Sequence, residues 1–279
     1  MDNVAFLGTG LLGSGMVERM LAQGDSVVVW NRTTAKARAL EPLGAHVAAT
    51  LEQAVQGASR VHIALPDDGV VDAVVAAIAP HLGPRTLVID HSTTSPAGTA
   101  ARHARLAGAG VRFLHAPVFM SPQMCREGAG LMMVSGPASL FEQAQPSLAR
   151  MTGDVWFVGE RPDLAACYKL FGNSMIFVIN AGLADILAMA GMLGVAPLDA
   201  VGVFSRFKAG NAIGMRGDKM ARGDFSAMFE LVMARKDLRL MIEAAGSAPL
   251  AVLPAIAVRM DDAIARGHGK DDLVAIATT

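Results

Sequence analysis

The eight residues Phe6-Leu7-Gly8-Thr9-Gly10-Leu11-Leu12-Gly13 constrain this chain more than any other segment. The spacing Gly-x-Gly-x-x-Gly directly follows a short apolar run and opens an amphipathic helical pattern with Met16, Met20 and Leu21 on one face. Such a strand–turn–helix unit needs glycine three times, for three reasons. Gly8 permits the tight turn, Gly10 lets backbone approach a pyrophosphate, and Gly13 lets helix and strand pack closely. The helix start then offers free N–H groups and a positive dipole end to phosphate. Thr9, Leu11 and Leu12 belong to the same expected dinucleotide contact. Glycine is common here (29 of 279 residues), so the motif has force only in this context.

The rest of the first half agrees with that unit. Short apolar runs alternate with helical patterns, as βαβ units around a parallel sheet do. Strands are expected at Val4–Gly8, Ser26–Trp30, His46–Ala49, Val61–Leu65, Thr86–Asp90, Val111–Pro117, Leu131–Ser135 and Val155–Val158. Gly24, Gly44, Gly83 and Gly110 fall where helix ends favour positive φ, and Pro96 after Ser95 suits a first helical position. After Gly159 only helical periodicity remains. The expected architecture is α/β: a doubly wound Rossmann-type domain over 1–160, then an all-helical domain over 161–279. The second opens with a long helix at about 163–194.

The end of the second strand, Trp30-Asn31-Arg32-Thr33, lies about 20 residues beyond the glycine motif, where NAD enzymes carry Asp or Glu for the ribose hydroxyls. Asn31 removes the charge that would repel a 2′-phosphate, and Arg32 offers it a bidentate contact that Lys36 can assist. These residues predict NADP(H) in preference to NAD(H), against the plainer reading of Arg32 as a solvated loop residue. Leu65-Pro66-Asp67-Asp68 and His91-Ser92-Thr93-Thr94-Ser95-Pro96 end two further strands on the same rim. Thr93 is there either as a ligand contact or as a helix cap.

Hydride transfer to a carbonyl needs a proton for the developing alkoxide, and Lys169 is the candidate donor. It sits among Ala165, Ala166, Cys167, Leu170 and Phe171, where desolvation lowers an ammonium's pKa. Asn173 is one turn along on the same face and Asn180 nearly in line further on, giving a donor beside neutral orienting groups. The competing reading is a lysine that snorkels to water. No His/Glu/Cys spacing suggests a metal.

Bulk properties narrow the class. With 24 Lys+Arg against 25 Asp+Glu the net charge is −1, which argues against nucleic acid. Cys125 and Cys167 fit a reducing compartment. The acidic start and short first apolar run predict no leader, so a cytoplasmic place is expected. Lys169, Asn173, Asn180 and Asp185 interrupt the apolar stretch 164–195, which argues against a membrane span.

Taken together, these residues resemble the β-hydroxyacid dehydrogenase family, the group of 3-hydroxyisobutyrate dehydrogenase and the glyoxylate/succinic semialdehyde reductases. The similarity runs over essentially the whole chain. It comprises Gly8–Gly13, Leu65-Pro66-Asp67-Asp68, Asp90-His91-Ser92-Thr93, Ala116-Pro117-Val118, Lys169-x-x-x-Asn173 and Lys236-Asp237-Leu238. The resemblance implies a catalytic Lys169, a substrate-orienting Asn173, Thr93 near nicotinamide and substrate, and Lys236 closing over the cofactor. It also implies a 6-phosphogluconate-dehydrogenase-like helical domain that pairs into a homodimer or homotetramer.

One departure bears on substrate. Family members commonly follow Ala-Pro-Val with Ser-Gly-Gly, whose amides cradle a carboxylate. This chain has Phe119-Met120-Ser121-Pro122, which adds bulk and removes an N–H. Phe119, Met120 and Ser121 are thus expected at an altered substrate site, with Ser121, Gln123 and Arg126 as replacement donors. His115 also stands where an acidic residue is common. The reading is a reductase or dehydrogenase for a small hydroxyacid or semialdehyde. Two alternatives stand beside it: imine reduction on the same fold, although such enzymes usually place Asp or Tyr at the Lys169 position, and a non-catalytic NADPH-binding module.

Overall fold

The structure is a computed structural model that describes residues 3–278. Alternation along the first strand, β1 (Asn3–Leu7), organises the first unit: Val4 and Phe6 enter one hydrophobic core, Ala5 and Leu7 the other. A strand that buries both faces belongs inside a parallel sheet covered by helices on both sides. The strands that follow are β2 (Ser26–Trp30), β3 (His46–Val47), β4 (Arg60–Ile63), β5 (Leu87–Asp90), β6 (Arg112–His115), β7 (Val118–Phe119), β8 (Leu131–Ser135) and β9 (Asp154–Gly159). The first six run parallel in the order β3-β2-β1-β4-β5-β6. β8 lies antiparallel to β6 and β7 and parallel to β9.

The connecting helices are α1 (Leu11–Ala22), α2 (Thr34–Arg38), α3 (Leu51–Val55), α4 (Asp68–Ile78), α5 (Pro96–Gly108), α6 (Pro122–Glu127) and α7 (Ala138–Leu148). Residues of α1, α6 and α7 fill one core and residues of α3, α4 and α5 the other, so the sheet is doubly wound. Order reverses about β1, which leaves a crevice beyond the carboxyl ends of β1 and β4.

The long helix α8 (Leu164–Met192) follows, with α9 (Pro197–Arg206), α10 (Asn211–Arg222), α11 (Leu231–Ala245) and α12 (Leu253–Ala265) after it. By compactness the chain divides into units 1–173 and 174–279, a division that falls inside α8. In the second unit Leu231, Leu238, Ala257, Met260 and Ala275 form a small core. Buried Asp185 accepts backbone N–H bonds from Ala251, Val252 and Leu253, fixing α8 to the start of α12.

Two expectations need correction. Gly24, Gly44 and Gly110 have positive φ, but Gly83 does not. It lies in a turn closed by Thr86 N–H donating to its carbonyl, ahead of β5, and that turn needs no left-handed residue. The expected strand 111–117 also splits, because Pro117 has no N–H for a ladder, and the two-residue β7 resumes beyond it.

Candidate functional site

Each fingerprint glycine has its own physical reason. Gly8 has φ +102°, and a Cβ there would overlap the Ala64 carbonyl of the neighbouring strand end. A Cβ at Gly13 would overlap the Gly8 carbonyl and press on Phe6. Gly10 faces open space, so its backbone is accessible to a ligand. It begins α1 without a side-chain cap, and the first intrahelical bond is Ser14 N–H to Gly10 C=O at 2.8 Å. The N–H groups of Leu11, Leu12 and Gly13 therefore precede the helical ladder.

A cavity of about 730 Å³ opens in front of this helix start. Gly8, Gly10, Leu11, Leu12 and Gly13 line it with Asn31, Arg32 and Thr33 from the end of β2 and Lys36 of α2. Leu65 and Pro66 line it from the end of β4, and His91, Ser92 and Thr93 from the end of β5. The structure thus brings together every expected dinucleotide residue of the first unit except Thr9. Thr9 is buried, and its N–H donates to Asn31 Oδ1 at 3.0 Å, while Asn31 Nδ2 donates to the Thr33 carbonyl. Asn31 accordingly ties the glycine loop to the end of β2. Among the described residues, no carboxylate lines the cavity or pairs with Arg32 or Lys36, both exposed.

The β5 rim is held by polar contacts that spacing alone could not locate. Ser95 caps α5, accepting from Gly98 N–H, so the cap alternative for Thr93 is overturned. Thr93 is left exposed on the cavity wall. Ser92 Oγ accepts from Leu65 N–H at 2.9 Å, joining the β4 and β5 loops. Arg102 is fully buried, with Nε 2.6 Å from Asp72 and Nη2 2.9 Å from Asp68. The other Asp68 oxygen accepts from Ser95 N–H, so a buried cation indirectly fixes the loop that carries Thr93.

Beneath that loop His62 and His91 stack with ring centroids 5.2 Å apart. The His91 Nδ1–H donates to the Ala116 carbonyl, leaving Nε2 to accept from His62 Nδ1–H at 2.9 Å. Neutral rings suit this chain of bonds. Burial pushes His91 down to about 4 and His62 well below the ordinary histidine value. Since the folded values lie below the unfolded ones, the unfolded chain takes up these protons first as pH falls. The stability conferred by the neutral pair is complete above about pH 6.5 and is lost toward pH 4, by on the order of 3 kcal/mol for His91. Urea melts between pH 7 and pH 4 should show this loss, and a His62→Leu/His91→Met protein should flatten it. Equal pH slopes in both proteins would contradict the assignment.

Lys169, Asn173, Phe119, Met120 and Ser121 do not line this cavity. Lys169 is half-buried on α8, its Nζ 4.0 Å from the centroid of the Phe119 ring, and burial pushes its pKa below the ordinary lysine value. Asn173 is also half-buried. Asn180 donates back to the Ile176 carbonyl of its own helix. Met120 packs against the sheet core, and Ser121 caps α6 by accepting from Met124 N–H. The other two suggested replacement donors are engaged as well, Gln123 with Glu127 and Arg126 bidentately with Glu18. In the second unit the Lys236 ammonium is exposed and lies 2.7 Å from Asp237. Sequence reasoning missed Arg102 and Gly172; the second meets the Phe119 ring edge-on to its backbone.

Comparison with known proteins bears on the same residues. Residues 3–159 match the family model described as the NAD binding domain of 6-phosphogluconate dehydrogenase. The chain is 30% identical to 3-sulfolactaldehyde reductase of Escherichia coli (strain K12), over 99% of this chain and 95% of that one. It is 24% identical to 2-(hydroxymethyl)glutarate dehydrogenase of Eubacterium barkeri, over 98% and 93%. An imine reductase from Myxococcus stipitatus in complex with NADP+ shares the fold, with a TM-score of 0.90, 21% identity and coverage of 99% and 98%.

Proposed function

The chain belongs to the β-hydroxyacid dehydrogenase family and is an NAD(P)-dependent oxidoreductase, and from that premise we propose that it moves hydride between NADP(H) and a short carbonyl or hydroxy compound. Hydroxyacids and semialdehydes, with their uncharged counterparts, are the compounds to try, and Lys169 exchanges the proton. The observation that carries this reading is the carboxylate-free cavity at the strand ends, with Arg32 and Lys36 beside Asn31. An acidic residue there would bind ribose hydroxyls and repel a 2′-phosphate; two cations attract it. Gly8–Gly13 would hold the pyrophosphate, and Leu65, Pro66 and Thr93 would face the nicotinamide half. A bound nicotinamide would supply hydride; Lys169 would give its proton to the alkoxide oxygen, and Asn173 would orient the carbonyl.

The test is loss of NADPH absorbance with a panel of semialdehydes, neutral aldehydes and cyclic imines. Turnover of carbonyl compounds supports the reading. Faster turnover of cyclic imines would replace it with imine reduction, and NADPH binding without any turnover would make the chain a holding module.

We also propose that a second copy of the chain covers α8. This helix is long and apolar enough to cross a membrane, with mean hydropathy 1.8, yet only 11% of that stretch is buried. Phe171, Phe177, Val178 and Ile179 are exposed on this helix, and Leu193, Leu198 and Phe207, exposed as well, follow it in sequence. A helix apolar on all sides is normally buried, and the Asp185 bonds to 251–253 root this one in its own helical unit. Light scattering on the purified protein should give a dimer or tetramer without detergent. A stable monomer, or a requirement for detergent, would contradict this.

A further inference from the structure

The residues around Lys169 narrow the substrate class, an inference that rests on the proton-exchange role proposed above. Phe119 is held by shape. A Cβ at position 172 would overlap its ring, so only glycine lets the ring lie against α8. From there the ring spans the turn from Gly172 to Lys169, whose ammonium sits 4.0 Å over it. A cation over an aromatic face is already favourably placed, by about 0.5–2 kcal/mol.

Fixing a planar carboxylate beside the reacting carbon takes a fork of donors, as a guanidinium or paired amides provide. Among the described residues, the side chains of 121–126 that could form one are otherwise engaged. Arg126 is locked bidentately to Glu18, Gln123 donates to Glu127, Ser121 caps α6, and Pro122 has no N–H. The Lys169 ammonium, already over the ring and needed as proton source for the alkoxide, is a single point donor and not a fork. An acid group placed there would shed water against an aromatic face that returns no hydrogen bond.

We infer that Phe119, seated on the bare backbone of Gly172, is a specificity-determining residue whose ring presents an apolar wall beside Lys169, so that the carbonyl compound taken carries an uncharged substituent there. The preferred substrate is an aldehyde or ketone with an apolar or ester-like group near the reacting carbon.

Charge and shape can be separated with matched pairs: glyoxylate against methyl glyoxylate, and succinic semialdehyde against its methyl ester, each with NADPH and the full chain. The wild type should favour the esters at least tenfold in kcat/KM, mostly through KM. Phe119→Ser should shift that ratio at least tenfold toward the acids. Gly172→Ala, whose methyl displaces the ring without removing it, should shift it the same way. Thermal melts identify any variant that fails to fold, and Phe119→Leu then takes its place, with a smaller shift in the same direction expected. Acids preferred by the wild type, or a ratio unmoved in the folded variants, would overturn the inference. Lys169→Ala separates the two levels: it should lower turnover of both members of each pair by a factor on the order of 10² to 10⁴, whatever their ratio. A protein that reduces no carbonyl compound at all would remove the proposed function, and this inference with it.

Discussion

Replacing Lys169 by alanine lowers kcat for carbonyl reduction by a factor on the order of 10² to 10⁴ and leaves the NADPH dissociation constant within about twofold. The separation follows from placement, since Lys169 lies outside the cavity lined by the glycine loop, Arg32 and Thr33. Its chemistry follows from burial. The ammonium is half-buried against the Phe119 ring, and desolvation moves its pKa below the ordinary lysine value. Reduction needs the protonated amine as donor. The reductive rate should therefore fall as pH rises through that lowered value, while the oxidative rate rises over the same range. Lys169→Arg keeps a charge but cannot release a proton near neutrality, so it should not restore activity. An alanine variant that keeps most of its turnover would remove Lys169 from the reaction.

The second large effect is on stability. Arg102→Met should destabilise the first unit by about 3–5 kcal/mol, because it strands charges that a fully buried cation now satisfies. Asp68 and Asp72 lose a direct partner each, and Asp90, whose Oδ2 lies 3.8 Å from Arg102 Nη1 and 3.7 Å from His115 Nδ1, loses the first of these neighbours. Asp68 is part-exposed and can rehydrate, whereas Asp90 is buried and cannot. Denaturant melts should show a markedly lower midpoint with unchanged slope. The variant should also bind NADPH more weakly, since Asp68 fixes Ser95 and so the loop of Thr93. A change under about 1 kcal/mol would mean that the network contributes little.

The contrast between these residues explains how much the sequence could reveal. Gly8, Gly10 and Gly13 were legible because each requirement is local: a turn, an open approach and a close packing within one βα unit. Arg32 was placed by its fixed distance from that unit, and the strand pattern by alternation between two cores. Thr93 stayed ambiguous because Ser95 also precedes Pro96, and only the backbone decides which hydroxyl caps α5. Arg102 was invisible because its carboxylate partners lie about 30 residues upstream, on another helix, and no periodicity marks an inward arginine. Ser121, Gln123 and Arg126 looked available because nothing in spacing reveals that Glu18 and Glu127 already hold two of them. Phe119 needed Gly172, more than 50 residues away, to find its place.

The central claim is that the cavity at the strand ends takes NADP(H) with Arg32 at the 2′-phosphate. Trp30 lines that cavity, so its emission should report binding directly. Titrating wild type and Arg32→Ala with NADPH and with NADH is therefore the most direct measurement. The account predicts that NADPH binds wild type more tightly than NADH does. It also predicts that Arg32→Ala weakens NADPH about tenfold or more, the loss of one charge-assisted contact worth roughly 1.5–3 kcal/mol, and leaves NADH unchanged. Tighter binding of NADH to the wild type, or equal loss of both cofactors in the variant, would contradict it.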